Sequence, residues 1–591
     1  MQLSLINPLR LHLAVVALFL TINSQAQSAL PQSQRLQWWR DARFGLFIHW
    51  GPVSLTGREI SWSRNDYGKS EYDSLYRRFN PIHFNAREWV AQAKAGGMKY
   101  VVLTAKHHDG FCLWNTQTIP YNIMSTPFGR DVCKELADAV HEAGLSLGWY
   151  FSPADWKDPD CRNPVSNDAF NARLMAQLTE LLSNYGKVSL LWFDYEGSPS
   201  PANPKPIYEL AHRLQPGIIL NNRLEAFTPD ESHSQPGKYG DYTTPEGFVA
   251  GFGQTPWETC TNMGHQWSWK FGDTPRSLRE SVHTLLRCVG GNGNLLLNVG
   301  PDSLGQFPPL FANRLHELGA WIAPRSTAIY GTLGGPYTPT GSYVCTRKGS
   351  TIYVHILSGT DEMITLPPLP AILKKATLMD GRSIVFNQGK EKLQLTVPAA
   401  MRDSIATIIA LTVDRPTATI PLIRPFTKTG SLAYTKPAKA SSELSHFLHD
   451  ASAALDDDPN TYWKLGRRTD VNFEAAYGKD LSFQSPTIQA MYNPTGWLEV
   501  DLGKPQRIGE IVVSDFSSKP NSKPIAQIGR FSIQYQQGNE WVTLATGQQP
   551  GSNWRQTVSP VMAQRLRLVI QESTGSIGIR EFQVFPPKGS N

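Results

Sequence analysis

The stretch "LLWFDYEG" (190–197) reads as a buried strand ending in two acids, Asp194 and Glu196. Other reactive side chains close similar apolar runs: His49 in "FIHWG", His107, His108 and Asp109 in "KHHDGF", Tyr150, and Asn222 with Arg223. Glu258 falls in "PWETC", and "DYTTPE" adds Asp241 and Glu246. Charged groups are rarely buried unless paired or used. Two chemistries compete for this set. In metal-assisted hydrolysis several His and an Asp would hold a zinc ion. His107 and His108, however, are adjacent on a strand, where successive side chains take opposite faces, so one tetrahedral ion is hard to build and no HxH spacing replaces it. In glycoside hydrolysis, one carboxylic acid protonates the leaving oxygen and a second carboxylate attacks carbon or activates water. Imidazoles and Tyr would then grip sugar hydroxyls, with Trp192 or Trp50 stacked on the ring.

Such groups need strand ends to hold them. From about residue 43 to 330, apolar runs alternate with helical patterns: "RFGLFIHW", "YVVLTAKHH", "LSLGWYFSP", "VSLLWFDYE" and "NLLLNVGP" as strands, "AREWVAQAKAGG" and "DVCKELADAVHEAG" among the helices. Strands that are apolar throughout, separated by helices, imply a parallel sheet covered on both faces. The strand count approaches eight, so an α/β fold of (β/α)8 type is expected, with its chemistry at the C-terminal strand ends. The eighth strand has no obvious sequence. No GxGxxG or GxxxxGK[ST] follows the first strand, which argues against a nucleotide fold.

At 591 residues the chain is too long for one core. We divide it into a leader (1–26), the catalytic domain (27–335), a small β-sandwich (336–415), a Pro- and Thr-rich linker (416–433) and a C-terminal β domain (434–591). The leader has one Arg, a short apolar run and the small-x-small site Ser24-Gln25-Ala26, the pattern of a secretory signal peptide. Export to a periplasmic or extracellular space without a membrane anchor is therefore expected. The net charge of +6 shows no basic run, against a nucleic-acid partner. The six cysteines have wide spacings and no CxxC pair, against a zinc module. Neither the pairing of these cysteines nor the oligomeric state of the chain has a readable code.

Together "FGLFIHWG", "KHHDGF", "LLWFD", "DYTTPE", "PWETC" and "GGNGNLLLNVGP" resemble the α-L-fucosidases of glycoside hydrolase family 29. The resemblance runs from the leader to about residue 330. It implies a secreted, retaining exo-α-L-fucosidase acting on fucosylated oligosaccharides through a covalent fucosyl-enzyme intermediate, with no catalytic cofactor. It makes Asp194 the nucleophile and assigns sugar contacts to His49, His107, His108, Tyr150, Trp192 and Arg223. Glu59 and Trp62, in "GREISW", match the family's first-loop pair more loosely. The acid/base lies among Asp241, Glu246 and Glu258. The "TPE" position favours Glu246, with Glu258 second. Alternatives are another glycoside or metal-dependent hydrolase on the same barrel, or an inactive glycan-binding protein.

The C-terminal segments "AALDDDPNTYW" and "GIREFQVF" resemble the discoidin, or F5/8 type C, jelly roll, common among carbohydrate-binding modules. The likeness implies a structural Ca2+ at Asp456, Asp458, Thr461 and Glu581, hard oxygen ligands that suit this ion. An acidic solvated turn is the alternative. Trp463, Arg467 and Trp497 are either a sugar platform or core.

Overall fold

The structure is a computed structural model that describes residues 30–194, 201–225, 236–246, 249, 252–253, 255–359, 361–424, 429–434, 436–441, 451–457, 462–465, 495–515, 528–551, 553–573 and 577–587. The leader, Glu196, Asp458, Thr461 and Arg467 lie outside these residues. Among the described residues, no helix is long and apolar enough to cross a membrane.

The first unit begins with helix α1 (Gln32–Ala42). Strand β1 (Phe44–Ile48) follows, then α2 (Ala86–Ala95), β2 (Tyr100–Lys106), α3 (Val132–Glu142) and β3 (Ser146–Phe151). Next come α4 (Asn167–Ser183), β4 (Leu190–Phe193), α5 (Pro204–Leu214) and β5 (Ile219–Leu220). The unit closes with β6 (Glu258–Asn262), α6 (Leu278–Gly290), β7 (Asn294–Val299) and α7 (Pro309–Ile322). Helix starts follow local chemistry. Asn85 and Asp131 accept the backbone N–H groups of Glu88 and Lys134, and Ser277 with Glu280 forms a full capping box.

The strands form one parallel sheet in the order β5-β4-β3-β2-β1-β7-β6. Each strand from β1 to β5, and β7, is buried over nearly its whole length, because helices cover the outside and side chains fill the inside. The stretch 242–246 touches both sheet edges by parallel bridges: Tyr242 to Asn221 just past β5, Thr243 to Trp257, and Glu246 to Cys260 of β6. Gly45 of β1 has a specific reason to be glycine. A Cβ there would lie 2.3 Å from the Tyr100 ring, so its absence lets that ring lie across the sheet interior.

The second unit is antiparallel. A five-stranded sheet and the three-stranded sheet formed by Met363–Leu366, Leu393–Thr396 and Val385–Gln388 share a core that includes Ile352, Val354, Leu393, Leu395, Ile409 and Leu411. In the C-terminal unit, two long strands, Gly496–Asp515 and Trp554–Ile570, organise an antiparallel sheet around Leu498, Val500, Ile511, Val513, Leu566 and Leu568. Trp463 is fully buried in that core, so it packs the module and is not a sugar platform; Trp497 is half-buried. None of the six cysteines is bonded, and five are buried, so they behave as small apolar side chains.

Candidate active site

Asp194 directly follows β4 and is the hub of a polar cluster at the C-terminal strand ends. Tyr150 of β3 donates its hydroxyl to Asp194 Oδ2 at 2.7 Å, and His108 Nε2 lies 3.4 Å from the same oxygen. Arg223 donates to Asp194 Oδ1 at 2.9 Å. Burial alone would raise the carboxyl's pKa, but the His108 hydrogen bond and the Arg223 charge outweigh it and hold the group far below the usual carboxylate range. Asp194 is therefore an anion at any working pH. Burial, with the Asp194 charge beside it, pushes the Tyr150 phenol well up, so Tyr150 remains a neutral donor.

Arg223 joins the second acid. Its NH1 also lies 2.9 Å from Glu246 Oε2, while Nε and NH2 are fixed on the Thr244 hydroxyl and carbonyl. Its guanidinium covers the Trp192 ring at 4.7 Å, and Trp192 stacks on Tyr150 at an interplanar angle of 14°. Glu246 is 40% exposed, open to whatever occupies the site, whereas Asp194 is 17% exposed. Because one nitrogen holds both, Asp194 Oδ1 and Glu246 Oε2 are at most about 6 Å apart, a limit that admits the roughly 5–5.5 Å of a retaining pair.

The histidines line the same space. Asn298 gives its amide N–H groups to Asn262 Oδ1 and the Trp267 carbonyl, so its Oδ1 accepts from His49 Nδ1 at 2.7 Å. Burial pulls His49 down to about 4, which leaves its other ring nitrogen a neutral acceptor suited to a hydroxyl. His107 Nδ1 is 2.6 Å from Ser61 Oγ, and His108 Nδ1 is 2.7 Å from Ser152 Oγ. The expectation that His107 and His108 diverge is wrong. β2 ends at Lys106, so both residues follow in a turn where strand alternation no longer applies, and their rings are 4.3 Å apart. The ligand atoms of His107, His108 and Asp194 lie within 4.8 Å of one another.

Glu258, Trp50, Asp241 and Asp109 fall elsewhere. Glu258 begins β6 and so lies at the opposite end of the strand from the rim; it is fully buried, accepting from Trp39 at 3.0 Å, Trp192 at 3.3 Å and Tyr100. That placement removes it as the acid/base. Trp50 is packed among Phe79, Phe84 and Trp89 and belongs to the core, not to a sugar. Asp241 is the buried partner of Arg35 on α1, at 2.5 Å. Asp109 turns away to accept from Tyr72 at 2.7 Å. Glu59 accepts from the backbone N–H groups of Trp267 and Ser268 at 2.9 and 3.1 Å, so it ties two rim loops together. Trp62 stands 55% exposed at the mouth, edge-on to His108. Sequence reasoning missed Asn298, Ser61, Ser152 and Trp267, whose ring lies 4.8 Å from His49. Asn298, a polar residue inside the apolar run "NLLLNVG", carried the one readable signal.

Burial raises the Glu258 carboxyl to about 7. An acid whose folded pKa lies above its unfolded value loses stability as pH climbs between the two values, here from about 4.5 to about 7. Glu258→Gln removes this dependence. Relative to wild type, the variant should therefore gain up to roughly 3 kcal/mol between about pH 5 and about pH 8. Urea unfolding at the two pH values measures it, and a pH-independent difference would show that Glu258 does not titrate there.

A parallel sheet with an ionised carboxylate, a second acid on the same arginine and three imidazoles at its C-terminal rim is a glycoside hydrolase type of site. Comparison with known proteins narrows the class. The α-L-fucosidase family model matches residues 21–326, more than half of the chain, and an F5/8 type C domain matches residues 437–582. The chain belongs to the α-L-fucosidase family and carries a C-terminal F5/8 type C domain. It is 32% identical over 312 residues to α-L-fucosidase 1 of Arabidopsis thaliana, covering 47% of this chain and 57% of that protein. The solved α-L-fucosidase isoenzyme 1 of Paenibacillus thiaminolyticus superposes with a TM-score of 0.60 at 32% identity, over 65% of this chain and 99% of that one. A Bacteroides thetaiotaomicron α-L-fucosidase, solved as a trapped covalent intermediate with 2-fluoro-fucosyl fluoride, superposes with a TM-score of 0.59 at 25% identity, over 66% and 98% of the two chains.

Proposed function

We propose that this protein is an exported, retaining exo-α-L-fucosidase that releases terminal L-fucose from glycans, with Asp194 as nucleophile and Glu246 as general acid/base. The observation that supports this reading is Arg223 NH1, at 2.9 Å from an oxygen of each carboxylate, which brings the two acids to the same guanidinium. In the first step Asp194 attacks the anomeric carbon and Glu246 gives its proton to the leaving oxygen. In the second, Glu246 takes a proton from water, which displaces Asp194 and restores both groups. His49, His107 and His108 orient the sugar hydroxyls, and Trp192 and Trp62 border the ring. We infer that the stretch 242–246 serves as the eighth stave of a (β/α)8 barrel, which is why the acid lies beside β6. Hydrolysis of an aryl α-L-fucoside, with the anomeric form of the released fucose followed by NMR, tests the assignment: net inversion or no turnover overturns it.

This reading needs no catalytic metal, although His107, His108 and Asp194 converge. The Arg223 guanidinium already neutralises Asp194, and a divalent cation beside it would be repelled. Turnover should therefore survive EDTA within twofold, as a chelation assay measures; loss of turnover with the fold intact would favour a metal-dependent hydrolase. A structural Ca2+ in the C-terminal unit stands as a separate proposal. Asp456, half-buried, and Glu581, buried, offer hard oxygen atoms.

A further inference from the structure

A groove of about 660 Å³ opens beside Glu246 and Trp267, and Asp194 is not among the residues that line it. It is lined by Thr261 and Asn262 of β6, by Thr274 and Arg276, and by the first residues of α6. None of the histidines around Asp194 lines it. Because the acid/base stands on the leaving-group side of a glycosidic bond, this groove is where the departing glycan must lie, if the fucosidase reading holds.

Its charges are unequally committed. Glu246 is held by Arg223, and Glu280 spends Oε2 on the Ser277 backbone N–H at 2.9 Å and hydroxyl at 2.7 Å. His265, on the groove's outer side, is paired with Asp273 at 2.5 Å. Arg276 differs. Its NH2 donates to the neutral Thr261 hydroxyl at 3.0 Å, and among the described residues no carboxylate comes within ion-pair distance of its guanidinium. Glu280 is the carboxylate whose field it feels, from beyond that distance. The side chain is half-buried, and burial lowers its pKa, so the cation is partly desolvated. The residue is also fixed: its N–H donates to the Met263 carbonyl at 2.8 Å, and its own carbonyl accepts from Arg314. A positioned, partly desolvated guanidinium with free donors is a receptor for carboxylate or sulfate oxygens.

We propose that Arg276 recognises an anionic substituent, a carboxylate or a sulfate ester, on the glycan that carries the fucose, so that the enzyme prefers acidic fucosylated oligosaccharides. Thr261 and Asn262 supply hydroxyl contacts around it, and Trp267 forms the apolar wall near the cleaved bond.

The test uses the full chain and three oligosaccharides matched in fucosyl linkage: neutral, carboxylated and sulfated on the neighbouring sugar. At low salt, kcat/KM for an acidic substrate should exceed that for the neutral one by about tenfold, the scale of one charge-assisted hydrogen-bonded contact. The better acidic substrate identifies which anion the site takes. Arg276→Gln should bring the acidic-to-neutral ratio close to one, and Arg276→Lys should keep part of it, with thermal melting to confirm that both variants fold. Equal or faster turnover of the neutral substrate, or an unchanged ratio in Arg276→Gln, overturns the proposal. An aryl α-L-fucoside run in parallel separates the two ideas. Its hydrolysis without any anionic preference sinks only the Arg276 assignment, whereas its inertness refutes the fucosidase reading and this inference with it.

Discussion

Replacing Asp194 with alanine should lower turnover of an aryl α-L-fucoside by several orders of magnitude, ~10^4-fold or more, without unfolding the chain. The size follows from the role. Among the described residues no other carboxylate makes the contacts of Asp194: Glu246 shares only Arg223 with it, and Glu258 lies at the far end of β6. The fold should survive because Arg223 keeps Glu246 and both Thr244 contacts after Asp194 is removed, so no buried cation is stranded. Tyr150 loses its acceptor but keeps its ring stacked between His107 and Trp192. Initial rates together with circular dichroism and a melting curve make the comparison. Turnover close to wild type in a folded variant would remove Asp194 from the mechanism and the retaining scheme with it.

Replacing Glu246 with alanine should separate substrates by their leaving groups. With a poor leaving group, such as a sugar hydroxyl, protonation is needed to break the bond, and the loss should be about 10^2- to 10^4-fold. An activated aryl fucoside needs no proton in the first step and should form the covalent intermediate at a much smaller cost. The second step then limits the rate, since nothing activates water. Azide requires no general base, so it should restore turnover of the activated substrate and yield fucosyl azide. The exposure of Glu246 leaves room for azide once the side chain is gone, whereas truncating Glu258 would open only a closed interior space. Rescue in Glu258→Ala and none in Glu246→Ala would reverse the assignment.

Both expectations began as a reading of strand ends, and the structure shows where such a reading has force. Asp194, His49 and Tyr150 were legible because each interrupts or ends a continuous apolar run, and the parallel sheet carries such residues to one rim. The segment 242–246 was not legible as part of the sheet. "DYTTPE" has no apolar run, since its strand-like contacts are three isolated bridges held from both sides. Glu258 was misplaced by one end of a strand: "PWETC" gives the strand but not where its hydrogen bonding starts. His107 and His108 misled for a related reason, because the period of two stops where β2 stops. Asn298, Ser61 and Ser152 act by orienting imidazoles, and side chains that meet across long sequence separations leave no local pattern. Trp50 and Trp463 show that an aromatic near a motif says nothing by itself about exposure.

The two carboxylates are anchored unequally. Asp194 ends a strand paired on both flanks, by four residues to β3 and by two to β5, so its place is set by the whole sheet. Glu246 hangs from a stretch whose ladder is reduced to single bridges, fed by the connection from Asn222 to Tyr242. Lengthening or shortening that connection would shift one acid while the other stayed still. The gap between them is thus an adjustable dimension of the scaffold, and the stereochemical course of hydrolysis depends on that gap. A protein engineer wishing to change that course on this framework would leave β4 untouched and edit the span that delivers Glu246.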